Sequence, residues 1–210
     1  MNIKLTKEER IKILNSTDLY RIMQGILLRE EKIDQNREHF WVVGLENNNR
    51  ILVIELVSMG SVNSTVVVPM EVFSLVLQKR AVKVILVHNH PSGDILPSEN
   101  DKDITDRLYQ VGRIVGCPVL DHLIITTTSY MSFGDTGLLE TISKSLKYVP
   151  QYEIQERLKK EAEELGAKKN KIEIAKEMKR DDLPIDTIAQ YTGLTLAEIK
   201  KLRVRKKPKN

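Results

Sequence analysis

The feature that most constrains the fold of this chain is an apolar run that leads directly into a pair of histidines. Residues 82–87, Val-Lys-Val-Ile-Leu-Val, are mostly β-branched and almost wholly apolar. Such a run is typical of a strand that is buried on both faces, and here it ends at His88. Helical and strand-like patterns alternate along the chain around it, and this order predicts a three-layer α/β/α domain built on one sheet.

Hydrophobic periodicity and turn residues place the other elements of that domain. Helices are predicted over residues 18–32, 71–79 and 98–115, the first of them capped by Ser16 or Thr17. Further strands are predicted over residues 40–45, 51–57, 65–68, 119–126 and 130–133.

Three side chains that commonly bind metals follow the buried run closely. Residues two apart in an extended segment point the same way, so His88 and His90 can present their imidazoles to one ion. The chain then turns, and Ser98 begins the next predicted helix. Asp101, in the first turn of that helix, can bring a carboxylate back toward the histidines. Two histidines and one carboxylate leave a fourth tetrahedral position for water, as in a hydrolytic rather than a structural zinc site.

The same residues also have purely structural explanations. Ser98 is a favoured helix N-cap, and Asp101 is favoured near the positive end of a helix whether or not it binds a metal. A histidine at the end of a strand often serves only as a polar tip. The combined spacing H-x-H-x7-S-x2-D, placed directly after a buried strand, favours the metal site over these separate explanations.

That spacing resembles the JAMM signature of the MPN/JAB-type zinc metallopeptidases. The longer string around it is similar to the RadC branch of that family, long labelled DNA repair proteins. The similarity covers roughly residues 18–140, and its most specific part runs from His88 to Asp101. The matching text comprises Glu38-His39-Phe40, Gly60-Ser61-Val62-Asn63, Pro69-Met70-Glu71-Val72-Phe73, His88-Asn89-His90-Pro91-Ser92-Gly93, Pro97-Ser98, Asp101, Thr105, Leu120-Asp121-His122 and Ser132-Phe133.

The resemblance implies roles for individual residues. It implies His88, His90 and Asp101 as the ligands of one zinc ion per chain, and it implies that Ser98 helps to stabilise an oxyanion. It also implies a general acid/base glutamate about fifty residues upstream at a strand start, a position that Glu38 fits. The implied fold is the cytidine-deaminase-like version of the α/β/α architecture.

Two further positions of the family pattern leave alternatives open. Glu71 is the alternative general base, but it begins a predicted helix after Pro69, where an acidic residue is favoured anyway. The pair Asp121-His122 also matches the pattern. We expect this pair to support the site rather than bind the ion, because the ligand set is already complete.

These residues predict hydrolysis of a peptide or isopeptide bond in a protein or peptide substrate. Zinc lowers the pKa of bound water to about 7 and polarises a carbonyl. Glu38 would carry a proton from that water to the leaving amine, and Ser98 would donate to the oxyanion. A nucleobase deaminase of the same fold needs two further cysteine ligands, and Cys117 is the only cysteine in the chain.

Cysteine content and hydropathy indicate the setting of the protein. A single cysteine allows no intrachain disulfide, and the N-terminal residues show no secretory signal, so a cytoplasmic location is predicted. No apolar run approaches the length of about 18 residues that suggests a membrane span. We therefore expect a soluble protein with no membrane partner.

Charge and periodicity divide the chain into four predicted segments. An N-terminal helical segment covers residues 1–34, the RadC-like catalytic domain covers 35–147, and a charged helical linker covers 148–170. The last segment, residues 171–210, contains three short helical units in a helix-turn-helix-like pattern. Residues 151–210 hold 16 Lys/Arg against 11 Asp/Glu, and the last ten residues hold six basic side chains.

This C-terminal segment supports a second function class. A basic tail and a helix-turn-helix pattern indicate a DNA contact, so the chain would be a DNA-associated accessory protein with the α/β domain as scaffold. The helical pattern fits a small three-helix packing or oligomerisation unit equally well, and a basic tail is as often a solvated, disordered end. The intact set of metal-binding residues favours the hydrolase as the first hypothesis.

Overall fold

The computed structural model of this chain describes residues 12–60 and 67–203. Part of the matched string at Gly60-Ser61-Val62-Asn63, part of the predicted strand at 65–68 and the basic tail after residue 203 lie outside the described residues. The chain forms two compact units, the first extending to Val149 and the second beginning at Pro150.

A five-stranded mixed sheet forms the centre of the first unit. Its strands lie in the order β2-β1-β3-β4-β5, with β3 and β4 parallel and the other neighbours antiparallel. The strands are β1 (Glu38–Leu45), β2 (Ile51–Gly60), β3 (Lys83–Asn89), β4 (Val119–Ile125) and β5 (Tyr130–Ser132).

Helices cover both faces of this sheet and confirm the predicted three-layer arrangement. Helix α1 (Ser16–Leu27) packs against one face, where Trp41 is almost completely buried. Helices α3 (Pro69–Gln78) and α4 (Glu99–Ile114) pack against the other face around Phe73. The short helices α2 (Lys32–Gln35) and α5 (Leu138–Ser143) complete the described helices of the unit.

Strand β3 lies in the middle of the sheet, as its apolar run predicts. Val84 and Leu86 contribute to the apolar cluster under α3 and α4, whereas Ile85 and Val87 contribute to the cluster under α1. All four are at most 6% exposed. Burial of each such side chain stabilises the fold by about 1.5–3 kcal/mol, which fixes the strand that ends at His88.

The first helix differs from its prediction at both ends. Asn15, rather than Ser16 or Thr17, is the N-cap, because its side-chain oxygen accepts a hydrogen bond from the Asp18 N–H at 2.9 Å. The hydroxyl of Thr17 contacts Tyr130 of β5 instead. The helix ends at Leu27, and a separate turn, α2, follows it. Val67 and Val68, at the end of the predicted strand 65–68, are not in a strand.

The described part of the second unit, up to residue 203, contains three helices, α6 (Gln151–Arg180), α7 (Ile185–Thr192) and α8 (Leu196–Lys201). Helix α6 is continuous across the predicted boundary at residue 170, since its Glu-, Lys- and Ala-rich sequence contains no proline to end it. Its C-terminal part packs with α7 and α8 around Ala175, Ile188, Leu194 and Ile199. Within residues 12–60 and 67–203, no helix is both long enough and apolar enough to cross a membrane.

Candidate metal centre

Three elements meet at the edge of the sheet where β3 ends. His88 and His90 lie at the end of β3 and just beyond it, and Asp101 lies in the first turn of α4. Because β1 runs antiparallel to β3, the beginning of β1 lies at this same edge, and Phe40 pairs with His88 in the register. Glu38, two residues before Phe40, is therefore brought to the candidate metal ligands from fifty residues away.

His88, His90 and Asp101 form a group whose ligand atoms lie within 4.8 Å of one another. The two Nε2 atoms are 2.9 Å apart. Nε2 of His88 is 3.3 Å from Oδ1 of Asp101, and Nε2 of His90 is 3.5 Å from Oδ2. The three side chains thus present one set of nitrogen and oxygen atoms to a common point.

These spacings fit a tetrahedral zinc ion. Ligand atoms at about 2.0–2.2 Å from zinc in tetrahedral geometry lie about 3.3 Å from one another. The distance of 2.9 Å between the two Nε2 atoms, and those of 3.3 and 3.5 Å from each Nε2 to a different carboxylate oxygen of Asp101, scatter around that value. Among the described residues, this is the group that could hold a metal ion, and two histidines with one carboxylate suit a zinc that keeps a position for water.

Hydrogen bonds orient both imidazoles so that Nε2 faces the group. Nδ1 of His90 lies 2.9 Å from the carbonyl oxygen of Asp94, to which it donates. Nδ1 of His88 lies 2.8 Å from Nε2 of His122, which is completely buried. Burial holds the pKa of His122 well below its ordinary value, so its ring is neutral. Contacts of this kind to the second ring nitrogen typically orient histidine ligands.

Asp101 is held by the helix start that presents it. Its Oδ2 accepts hydrogen bonds from the N–H and the hydroxyl of Ser98, at 2.7 and 2.6 Å, while its own N–H donates to the Ser98 hydroxyl oxygen. Ser98 is thus the N-cap of α4 in a capping box. Burial alone would raise the pKa of Asp101, but its contacts with the His88 and His90 imidazoles and with the Ser98 hydroxyl outweigh it and hold that pKa far below its usual range.

A cavity of about 870 Å³ opens over the three candidate metal ligands. Glu38 and Ser98 line it together with His88, His90 and Asp101, so the structure brings every predicted site residue to one cavity. Glu71 is not among the residues that line it. That glutamate lies exposed in the first turn of α3.

Thr105 makes a contact that the sequence pattern did not predict. Its hydroxyl lies one turn of α4 beyond Asp101, donates to the Asp101 carbonyl oxygen and lies 2.6 Å from Nδ1 of His122. The i, i+4 spacing from Asp101 places Thr105 on the same face of the helix, which is the signal the sequence offered. The contact with His122 joins residues 17 apart and has no local signature.

The sheet, its two helical layers and the histidine-histidine-aspartate group define an α/β domain with a candidate divalent-metal site. A family model described as a RadC-like JAB domain matches residues 13–138. The chain belongs to the RadC-like JAB domain family, which confirms the resemblance seen in the sequence.

Similar proteins from several bacteria carry the name UPF0758 protein. The one from Desulforudis audaxviator is 46% identical over 112 residues, 53% of this chain and 49% of the relative. The one from Chlorobium chlorochromatii is 38% identical over 128 residues, 61% and 55% of the two chains. The one from Chlorobaculum parvum is 37% identical over 137 residues, 65% and 60%. This chain thus spans about half the length of the curated relatives it matches, and their name states no activity.

Proposed function

We propose that this protein is a zinc-dependent hydrolase of the JAMM type that cleaves a peptide or isopeptide bond. The observation that carries the proposal is that Glu38 lines the same cavity as His88, His90 and Asp101. A metal site with a carboxylate beside it has the two components that amide hydrolysis by water needs, a Lewis acid and a proton carrier. The names of the relatives state no activity, so the proposal depends on the site itself.

A zinc ion at the three ligands would supply a Lewis acid that lowers the pKa of water to about 7 and polarises the substrate carbonyl. The carboxylate of Glu38 takes a proton from the attacking water and returns it to the leaving amine. Ser98 holds the Asp101 carboxylate and, by turning its hydroxyl toward the cavity, donates to the oxyanion. Asp94 and His122 keep the imidazoles in the orientation that binding requires.

The cavity also suits an extended chain as substrate. Its volume of about 870 Å³ lies in the range of about 300–1,000 Å³ that is usual for ligand sites. Its wall follows α4 from Ser98 past Ile104 to Arg107, which lines the same cavity. At about 1.5 Å of rise per helical residue, this wall is long enough for several residues of a bound peptide.

The substitution Glu38→Gln separates the chemistry from metal binding. The amide cannot carry the proton, so the variant should retain one zinc per chain yet lose hydrolysis. Zinc content is measured by mass spectrometry, and hydrolysis is measured by comparing new peptide termini in a proteome treated with wild type or variant. Glu71→Gln is the matched control and should cleave like wild type. If Glu71→Gln abolished cleavage while Glu38→Gln left it intact, the general base would be Glu71.

The second candidate function is a DNA-associated accessory role for the C-terminal unit. Helices α7 and α8 are joined by a tight turn at Gly193, whose positive φ of 67° glycine adopts without strain. Three exposed basic side chains lie at the C-terminal end of α8 and just beyond it, Lys200, Lys201 and Arg203. A capping box begins α8 at its N-terminus. Exposed cations at the end of a helix after such a turn fit the phosphates of duplex DNA.

Binding of this kind would be mainly electrostatic. The full chain should bind a fluorescent DNA duplex at about 50 mM salt, with affinity that falls steeply as salt rises. The double substitution Lys200→Gln/Lys201→Gln should weaken binding and make it less dependent on salt, by about one counterion for each lysine that neutralises a phosphate. Absence of binding at low salt would assign the C-terminal unit to packing or to a protein partner.

A further inference from the structure

We infer that Thr105 determines which ring nitrogen of His88 is free to bind the metal, although Thr105 does not contact His88. The inference rests on the proposed metal site. A series of three hydrogen bonds, of which the last two are buried, runs from the backbone of Asp101 through Thr105 and His122 to His88. Each bond in this chain has one allowed direction, and the direction is set at the Thr105 end.

The first bond fixes the hydroxyl hydrogen of Thr105. This hydroxyl lies against the carbonyl oxygen of Asp101, and a carbonyl oxygen can only accept. The single hydrogen of the hydroxyl is therefore used in that bond. Nδ1 of His122, 2.6 Å from the same hydroxyl oxygen, must then be the donor of the second bond.

The second bond fixes the tautomer of His122. A neutral imidazole carries one hydrogen, and in His122 that hydrogen is on Nδ1. Nε2 of His122 is consequently an acceptor. It lies 2.8 Å from Nδ1 of His88, which must donate to it. His88 therefore carries its hydrogen on Nδ1, and its Nε2 presents a bare lone pair to His90 and Asp101.

The opposite direction would block the site. If Nδ1 of His88 were an acceptor, its hydrogen would lie on Nε2 and point at the position a metal ion would take. Solvent cannot replace these hydrogen-bond partners, because Thr105 and His122 are both 0% exposed. The hydroxyl of Thr105 thus acts on His88 through His122, as a positioning residue for the ligand.

The substitution Thr105→Val tests this inference, because valine has nearly the shape of threonine but no hydroxyl. It removes the acceptor for Nδ1 of His122. The hydrogen of His122 and that of His88 can then lie on either ring nitrogen. The zinc affinity of the full chain, measured with zinc alone against a competing chelator, should fall about 10–100-fold, the usual range for such supporting contacts. Thr105→Ser restores the hydroxyl and should restore the affinity.

A second readout needs neither metal nor hydrolysis. Long-range nitrogen–proton correlation spectra of the metal-free protein should show the hydrogen of His88 on Nδ1 in the wild type and in Thr105→Ser. In Thr105→Val, that hydrogen should redistribute between Nδ1 and Nε2. An unchanged Nδ1–H tautomer together with unchanged zinc affinity in Thr105→Val would overturn the inference. A wild type that binds no zinc would instead contradict the proposed function, and the spectra would still test the inference.

The variant His122→Gln guards against a trivial loss of folding. The carbonyl oxygen of the glutamine amide accepts from Nδ1 of His88. The direction of this hydrogen bond then no longer depends on Thr105. Adding Thr105→Val to His122→Gln should therefore change zinc affinity by less than about twofold. In protein that retains His122, the same substitution should lower zinc affinity by at least about tenfold. Equal decreases in both backgrounds would mean that Thr105 acts only on packing. If Thr105→Val does not fold, Thr105→Ala carries the same expectation.

Discussion

The side chain of Asn89 accepts a hydrogen bond from the backbone N–H of His39 at 2.7 Å, one residue beyond the last backbone pair of β1 and β3. Its amide also donates to the carbonyl oxygen of Arg37 at 2.9 Å. These two contacts lie on either side of Glu38 along the chain. The residue between the two proposed histidine ligands thus holds the backbone that carries the proposed general base.

Removal of this side chain should destabilise the protein. Asn89→Ala leaves the backbone N–H of His39 without its acceptor, in a position where Asn89 is only 1% exposed. It also removes one of two contacts of the Arg37 carbonyl oxygen, which keeps Nδ1 of His39 at 2.9 Å. Such a change typically costs about 1–3 kcal/mol of unfolding free energy, which urea denaturation measures. Asn100→Ala, at an exposed position in the first turn of α4, is the control and should change stability by no more than about 0.5 kcal/mol. Equal effects of the two substitutions would contradict a bracing role for Asn89.

The N-cap of α4 should influence both stability and activity. Ser98→Ala removes one half of the capping box and the two hydrogen bonds of the serine hydroxyl with Asp101, at a cost of about 0.5–2 kcal/mol. Hydrolysis should fall partially, since the metal can still polarise the carbonyl. Thr195→Ala removes the matching cap of α8 and is the control. It should lower the stability of the C-terminal unit without changing zinc affinity, and a loss of zinc in this control would contradict the assignment.

Asp103 should make the free energy of unfolding depend on pH in the acidic range. A hydrogen bond from Lys147, and then one from Tyr148, hold the pKa of Asp103 below its ordinary value of 3.8 in the folded protein. A carboxylate with a lowered folded pKa stabilises the fold above its unfolded pKa, and this contribution is lost as the pH falls through the folded pKa. Wild type should therefore be more stable than Asp103→Asn at neutral pH, and the difference should vanish below the folded pKa. A difference that is constant with pH in urea denaturation would exclude this cause.

Removal of the metal should lower the melting temperature reversibly. Ligand that binds only the folded state stabilises it by about 2.7 kcal/mol at a concentration of about one hundred times the dissociation constant. Wild type treated with a chelator should therefore melt at a lower temperature and recover when zinc is added back. His90→Ala should show neither the decrease nor the recovery. A zinc-dependent shift of the same size in His90→Ala would place the ion elsewhere.

The parts of the structure that could be predicted from the sequence depend on local patterns. The apolar run before His88 specifies a central strand wherever it folds, because a strand of this composition needs both faces covered. His88 and Asp101 are likewise close in sequence, so one turn and one helix start determine the relative position of their side chains. The antiparallel pairing of β1 with β3, which brings Glu38 to this segment, has no local pattern, and only the family resemblance implied Glu38 at the site.

The parts that could not be predicted depend largely on contacts between distant residues. The end of α1 at Leu27 has no proline or glycine signal, and apolar periodicity alone extends the helix too far. Helix α6 is one element because charged helix formers, Lys169 and Lys171, lie on both sides of Asn170 and no proline interrupts them. The bonds from His88 to His122 and from His122 to Thr105 span 34 and 17 residues, and no local pattern encodes them.

The proposed hydrolysis depends on one zinc ion held jointly by His88, His90 and Asp101. Crystals of the zinc-loaded protein, with diffraction recorded on both sides of the zinc absorption edge, would locate that ion. We expect one anomalous peak per chain, about 2.0–2.2 Å from Nε2 of His88, Nε2 of His90 and a carboxylate oxygen of Asp101. A full-occupancy peak at another position, or no peak at these three side chains in protein that carries one equivalent of zinc, would contradict the assignment.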